Sequence, residues 1–234
     1  MSASRLKGKP LLEINNLPII CHVVKKAKET GIGEVIVATE DKEIMTAVEK
    51  NGGKVILTGK HNTGTDRIFE AFQKLKTKDV DYVLNLQGDE PMIDPNDIIN
   101  LNNLMIKNNS EIGTLASVIK DNTILNNENV VKVITKEKLE KNSFTKAINF
   151  SRKNLSKQNS NIYHHIGIYA YKISVLEKFI NLNQTKNEIE NHLEQLRALD
   201  NNITIMVALA KSSPIGVDTQ EDFLAIKKIM EYKT

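Results

Sequence analysis

A chain of 234 residues is long enough for a sizeable core, held in one large domain or two small ones. Apolar residues make up 40% and aromatics only 5%, with no Trp, so the core must be aliphatic, as suits buried parallel strands. The net charge of +3 is too small and too dispersed to argue for a nucleic-acid partner, no apolar run is long enough to span a bilayer, and the N-terminus carries no apolar signal region. The single cysteine, Cys21, excludes an internal disulfide framework; it lies in the apolar run Pro18 to Val24, where burial as an inert small residue is expected. These features predict a soluble cytoplasmic protein without a nucleic-acid or membrane partner.

Residues 1–10 read as a cationic, small-residue loop. Ser2, Ala3, Ser4 and Gly8 let backbone N–H groups crowd around an anion, and Arg5, Lys7 and Lys9 supply charge. Such loops hang from the end of a strand, and none precedes this one, so either a leading strand is missing or the phosphate reading is wrong. Next, Asn16 is expected to cap a helix with Pro18 in its first turn; Ile19, Ile20, Val23, Val24 and Ala27 recur at helical spacing and Gly31 stops it. A strand is predicted over Glu34 to Thr39, a helix over Asp41 to Lys50, and a strand over Lys54 to Thr58. Thr63-x-x-Asp66 opens a helix carrying Ile68, Ala71, Phe72 and Leu75. A strand follows over Tyr82 to Leu86, and Asp94-Pro95 opens the next helix. Strands separated by helices of this length predict an α/β fold with a doubly wound, mostly parallel sheet.

The second half is less regular. Gly113 to Val118, Val130 to Ile134, Ala147 to Phe150 and Ile166 to Tyr171 read as strands without long helices between them, an antiparallel extension and also an oligomer surface. Lys153 to Ser160 reads as a polar mobile loop. Glu188 to Leu199 reads as one helix, and Thr219-x-x-Asp222 caps a last helix that turns Phe223, Ile226, Ile229 and Met230 inward. The expected organisation is one domain over 1–234, with halves 1–110 and 111–234.

Gln87-Gly-Asp-Glu-Pro91 follows a strand, so Asp89 and Glu90 project from its carboxyl end, where α/β proteins bind ligands. Facing a cationic phosphate loop, Asp89 either holds a divalent metal or caps a turn. Asp218, before the last helix, is either its N-cap or the second carboxylate of that metal site. In His61-Asn-Thr-Gly-Thr-Asp-Arg67, Thr63, Gly64 and Arg67 either bond a base or phosphate or serve as helix cap and surface arginine. In His164-His-Ile-Gly-Ile-Tyr169, His165 and Tyr169 share a strand face and His164 points away, which disfavours joint metal ligation and suits His165 as a substrate hydrogen-bond partner. Glu194, Gln195 and Arg197 read equally as a solvated helix face.

Taken in order, Ser4-Arg-Leu-Lys-Gly-Lys-Pro-Leu11, His61-x-Thr-Gly-Thr-Asp-Arg67, Gln87-Gly-Asp-Glu-Pro91, Phe150-Ser-Arg152, His165-Ile-Gly-Ile-Tyr-Ala-Tyr171, Leu193-Glu-Gln-Leu-Arg197 and Gly216-Val-Asp-Thr219 resemble the 3-deoxy-manno-octulosonate cytidylyltransferase family. Each motif alone is weak; the ordered set is specific. The resemblance implies a nucleotide-diphospho-sugar-transferase-like fold and CMP transfer from CTP to the sugar acid Kdo for lipopolysaccharide synthesis. It implies a nucleotide-binding half 1–110, a sugar-binding and dimerisation half 111–234, and a homodimer. It assigns Lys9, Asp89 and Asp218 to catalysis, with Asp89 and Asp218 holding Mg²⁺. Ser4, Arg5, Lys9, Thr63, Gly64, Thr65 and Arg67 fall around CTP. Gln87, Arg152, His165, Tyr169, Glu194 and Gln195 fall around Kdo, Arg152 on its carboxylate. Two departures stand out. The family's leading hydrophobic strand ending in Pro-Ala-Arg is absent before Met1, which predicts a start codon set too late. The segment between Arg152 and His165 is short and lacks the family's Pro-rich stretch. The alternatives are a cytidylyltransferase of acylneuraminate type, or a truncated, catalytically impaired nucleotide-binding product.

Overall fold

A computed structural model describes residues 6–77, 79–121, 123–153, 161–211, 213 and 216–232. After a 3-10 turn at Lys9–Leu11 come β1 (Glu13–Ile14), β2 (Leu17–Pro18), α1 (Ile19–Glu29), β3 (Ile36–Thr39), α2 (Lys42–Lys50), β4 (Lys54–Leu57), α3 (Gly64–Leu75), β5 (Tyr82–Asn85) and α4 (Pro95–Asn108). There follow β6 (Ile112–Ser117), α5 (Thr123–Asn126), β7 (Lys132–Thr135), β8 (Phe144–Ser151), β9 (Ile162–Lys172), α6 (Ile173–Ile180), α7 (Lys186–Asn191), α8 (Gln195–Asp200), β10 (Ile205–Leu209) and α9 (Gln220–Glu231). The residues group into two compact units, one of 1–78, 87–98 and 214–234, the other of 79–86 and 99–213. The division therefore does not fall once near residue 110: the last helix belongs with the N-terminal elements.

In the first unit β3 and β4 pair in parallel, as the alternation of strand and helix predicted. Asp41 and Thr63 cap α2 and α3, accepting from the backbone N–H of Glu43 and of Asp66. The start of α1 differs from expectation. Asn15 and Asn16 both have positive φ, 51° and 59°, and make the two-residue turn of the β1–β2 hairpin instead of a helix cap. Asparagine tolerates this left-handed backbone, and two such residues in a row fit the type I′ hairpin turn. Pro18 stands at the N-cap position of α1. Among the described residues, two apolar clusters pack this unit. One joins α1, β3 and α2 through Ile20, Cys21, Val24, Val37, Ile44 and Val48, so Cys21 is buried as expected. The other joins the hairpin to α9 through Ile14, Ile19, Val217, Phe223 and Ile226. That second cluster carries the segment around Asp218 to the N-terminal turn.

In the second unit six strands run in the order β5-β9-β6-β10-β8-β7, and β7 also pairs with the first part of β9. Among the described residues of this unit only β6 and β10 pair in parallel, so the parallel share is smaller than expected and the antiparallel extension larger. The cause is β9. Both β5 and β6 are antiparallel to it, so they share a direction, yet β9 separates them. Strand β9 carries an irregularity: Thr114 lies opposite Tyr169, but Leu115 lies opposite Ile166. Such bulges re-aim side chains. The Thr114 hydroxyl, 2.7 Å from the carbonyl of Ile168 and 3.2 Å from that of Ile166, serves the backbone at this irregularity. The expected helix over Glu188 to Leu199 is two helices, α7 and α8, broken at His192 with φ 52°. Strand β10 and helices α5 and α6 were not predicted. Strand β10 is buried at Ile205, Val207 and Ala208, too uniformly apolar to show an alternating signal.

Candidate active site

Gly8, with φ 68°, turns the chain into the 3-10 segment that begins at Lys9. The Lys9 ammonium bridges two carboxylates: it contacts Asp89 and sits 2.9 Å from Asp218 Oδ1. Asp89 lies in the turn after β5, where Glu90 N–H donates to the carbonyl of Gln87. Val217 N–H donates to the Asp89 carbonyl at 2.9 Å, which ties the C-terminal segment to this turn. Gly88 packs closely on α1: a Cβ there would stand 2.8 Å from Ile20 Cδ1, at the end of a side chain that would have to turn aside.

The N-cap alternative for Asp218 is overturned. Thr219, not Asp218, caps α9, accepting from Asp222 N–H in a capping box, and the side chain of Asp218 turns to Lys9. Burial alone would lower the Lys9 pKa, but its bonds to Asp89 and Asp218 outweigh that and hold the ammonium above its usual range. Glu90 is the residue that sequence reasoning left unassigned. Burial first, then repulsion from Asp89 and Asp218, pushes its carboxyl up to about 8, against the pull of Lys9. Its Oε2 is buried without a hydrogen-bond partner. The only advance signal was its place beside Asp89.

Two carboxylates thus converge on one cationic nitrogen, which neutralises them both. Among the described residues no group of three or more His, Cys, Asp or Glu side chains is arranged to hold a metal by itself. Two carboxylates completed by phosphate oxygens is nevertheless the arrangement that Mg²⁺ accepts, so the donor set fits that ion.

Around the start of α3, Thr63 caps the helix, Gly64 is its first residue and Thr65 is buried. Arg67 is no free surface arginine: it donates to Thr58 Oγ1 at 2.8 Å and to the Gly59 carbonyl, and lies 3.6 Å from Glu40. Ser4 and Arg5 lie outside the described residues. Gln87 is exposed in the first unit.

The other residues expected around the sugar lie in the second unit. His165 and Tyr169 share a face, with ring centroids 5.4 Å apart, and Phe150 meets His165 edge-on at 5.1 Å. His165 Nε2 is 3.0 Å from Thr114 Oγ1, whose own proton is directed to the Ile168 carbonyl at 2.7 Å. The network therefore assigns the ring proton to Nε2 and leaves Nδ1 an acceptor. Burial, followed by the charges of His164 and Arg152, pushes the imidazole down to about 3, so the ring is neutral at pH 7. Burial likewise raises the Tyr169 phenol well above its usual value, with Tyr171 and Glu194 adding to it.

Arg152 donates to the carbonyls of Asn129 at 3.0 Å and Glu128 at 3.5 Å. Glu194 Oε1 lies 3.8 Å from Arg197, and Gln195 begins α8. Arg197 contradicts a solvated helix face. It is 4% exposed, bonds both oxygens of Glu188 at 2.8 and 2.5 Å, and stacks over Phe179 at 4.8 Å. No helix among the described residues is long and apolar enough to cross a membrane.

The chain is a nucleotidyltransferase with a mixed α/β fold. Its structure matches that of CMP:2-keto-3-deoxy-manno-octonic acid synthetase complexed with CTP, with a TM-score of 0.90 and 34% identity, over 99% of this chain and 95% of that one. At the level of fold alone it also matches an apo-UDP-glucose pyrophosphorylase, with a TM-score of 0.72 and 14% identity over 100% and 96% of the two chains. The family profile described as Cytidylyltransferase matches residues 1–205. The 3-deoxy-manno-octulosonate cytidylyltransferase of Bartonella tribocorum is 40% identical over 98% of this chain and 95% of its own length; that of Thermodesulfovibrio yellowstonii is 42% identical over 97% and 94%. This chain belongs to the 3-deoxy-manno-octulosonate cytidylyltransferase family, as its ordered motifs indicated.

Proposed function

We propose that this protein transfers CMP from CTP to Kdo, giving CMP-Kdo and pyrophosphate for lipopolysaccharide biosynthesis in the cytoplasm. The observation that carries the reading is the convergence of Asp89 and Asp218 on the Lys9 ammonium, in a chain whose relatives bear that enzyme's name. The anomeric hydroxyl of Kdo attacks the α-phosphorus of CTP, the bond to the β-phosphate oxygen breaks, and pyrophosphate leaves. No covalent enzyme intermediate is needed, consistent with the buried Cys21. Rate enhancement comes from positioning and charge neutralisation.

Lys9 would bind triphosphate oxygens through its ammonium. Thr63, Gly64, Thr65 and Arg67 hold the nucleotide around the N-terminus of α3, where free N–H groups favour phosphate; Ser4 and Arg5 belong to the same site. Asp89 and Asp218 hold Mg²⁺, which supplies neutralisation of phosphate charge when bound. On the sugar side, Arg152 suits the carboxylate of Kdo through paired N–H donors. Neutral His165 accepts a hydrogen bond from a sugar hydroxyl at Nδ1. Gln87, Tyr169, Glu194 and Gln195 supply the remaining polar contacts. The protein acts as a homodimer, a reading that rests on the family resemblance and is tested by light scattering. Assays of CTP with Kdo and with an acylneuraminate, side by side, test the substrate. CMP transfer to Kdo is expected, and preferential transfer to the acylneuraminate would overturn the assignment.

A further inference from the structure

Lys132 is a lysine with 0% exposure, in the middle of a sheet. Its place on β7 is opposite Ser151 of β8 and opposite His164 of β9, the residues immediately before Arg152 and His165. A buried ammonium is costly unless its protons are taken up. Two acceptors do so: the carbonyl oxygen of Asn127, at 3.0 Å, and that of Arg152, the first residue past the end of β8. The Asn127 carbonyl also accepts Val130 N–H at 3.1 Å and so closes the turn 127–130. Arg152, in turn, rests its guanidinium on the carbonyls of Asn129 and Glu128 in the middle of that same turn. One ammonium thus grips the main chain of Arg152 and the turn that receives its side chain.

We propose that Lys132 is a positioning residue for Arg152, fixing both ends of that side chain and thereby setting the affinity for the carboxylate of the sugar acid. Stability does not account for a lysine here, because a buried charge is weak evidence of stabilisation and an apolar side chain would fill a sheet position at lower cost. The ammonium does two things an apolar residue cannot. It replaces the ladder bond that Arg152 loses where β8 ends, and it adds a second positive charge behind the guanidinium. Burial first, then the adjacent Arg152, lower the Lys132 pKa, against the opposing pull of Glu128. His164 feels the same charge, its pKa being lowered by burial and then by Lys132. An anionic group brought to Arg152 relieves this repulsion.

The proposal rests on Arg152 being the contact of the sugar carboxylate, and a double-mutant cycle separates the two ideas. Lys132→Met keeps the length and removes the donors. Its KM for Kdo is expected to rise about tenfold, the equivalent of about 1.4 kcal/mol, with the KM for CTP within about twofold of the parent, the scatter expected of an uncoupled site. In an Arg152→Ala background the same substitution is expected to add less than about twofold, because the residue through which it acts is gone. Equal costs in both backgrounds, or an equal rise in both KM values, overturns the proposal. A crystal structure of Lys132→Met reads the placement directly: Arg152 displaced from the Asn129 carbonyl supports the proposal, and Arg152 unmoved overturns it whatever the kinetics. If Lys132→Met does not fold, Lys132→Leu, which also lacks the donors and the charge, carries the same cycle. Should Arg152→Ala alone leave the KM for Kdo unchanged, the carboxylate contact is refuted, and with it the claimed effect on affinity, while the crystal structure still decides the positional claim.

Discussion

Lys9 and Asp218 meet in a 2.9 Å ion pair although 209 residues separate them in the chain. The pair forms because the β1–β2 hairpin and α9 share the cluster of Ile14, Ile19, Val217, Phe223 and Ile226, while Val217 N–H is held by the carbonyl of Asp89. Substituting Lys9 by Met should leave the fold intact and raise the KM for CTP about ten- to hundredfold, the worth of one hydrogen bond to a charged group. Steady-state kinetics with CTP as the varied substrate checks this. An unchanged KM for CTP would place the triphosphate elsewhere.

The neutral, buried His165 makes stability depend on pH with a definite sign. Its folded pKa is about 3, against about 6.5 for an unperturbed histidine. Between these values the unfolded chain binds a proton that the native state does not. The contribution is therefore complete above about pH 6.5 and is lost as pH falls toward 3, at up to about 1.4 kcal/mol per pH unit. His165→Asn should flatten the decline of Tm measured between pH 7 and pH 4.5. Parallel declines in the two proteins would contradict the buried neutral ring.

Glu188 and Arg197, both under 5% exposed, form a buried bidentate pair. Glu188→Ala leaves a guanidinium buried without that carboxylate and should cost about 3–5 kcal/mol, measured by urea unfolding. A loss below 1 kcal/mol, the worth of a surface pair, would mean that Arg197 is rehydrated or re-paired.

In the hairpin turn, Asn16→Gly should be neutral or mildly stabilising, because glycine adopts positive φ without strain. Asn16→Val should cost about 1–2 kcal/mol. Thermal melts of both variants distinguish the turn from a helix cap, where glycine and valine would both weaken the protein.

How much of this was legible in the sequence depended on whether the cause was local. Capping at Thr63 and Thr219 and the stop at Gly31 rest on side chains a few residues apart, and these were read correctly. Asn16 was misread because asparagine serves caps and left-handed turns equally; the second asparagine beside it was the missed signal. The break at His192 was not legible, because the pattern from Glu188 to Leu199 is continuous. Its cause is tertiary. Nine residues at about 100° each put Glu188 and Arg197 on opposite sides of an unbroken helix, so their ion pair requires the break. Lys132, in the run Val130-Val-Lys-Val-Ile134, looked like the polar position of an ordinary strand, and only the pairing of β7 with both β8 and β9 buries it. In the site, the residue types and order singled out Lys9, Asp89 and Asp218, whose side chains pair with one another. The state of Glu90 came only with burial.

In the proposed mechanism Asp89 and Asp218, gathered at Lys9, make a metal-dependent CMP-transfer site. The most direct test incubates the wild-type protein and Asp89→Asn with CTP, Kdo and Mg²⁺ and follows CMP-Kdo and pyrophosphate by ³¹P NMR. The account predicts both products in equal amounts from the wild type and a rate at least about a hundredfold lower for Asp89→Asn, the order lost when charge stabilisation in a site is removed. Wild-type turnover in Asp89→Asn would contradict it.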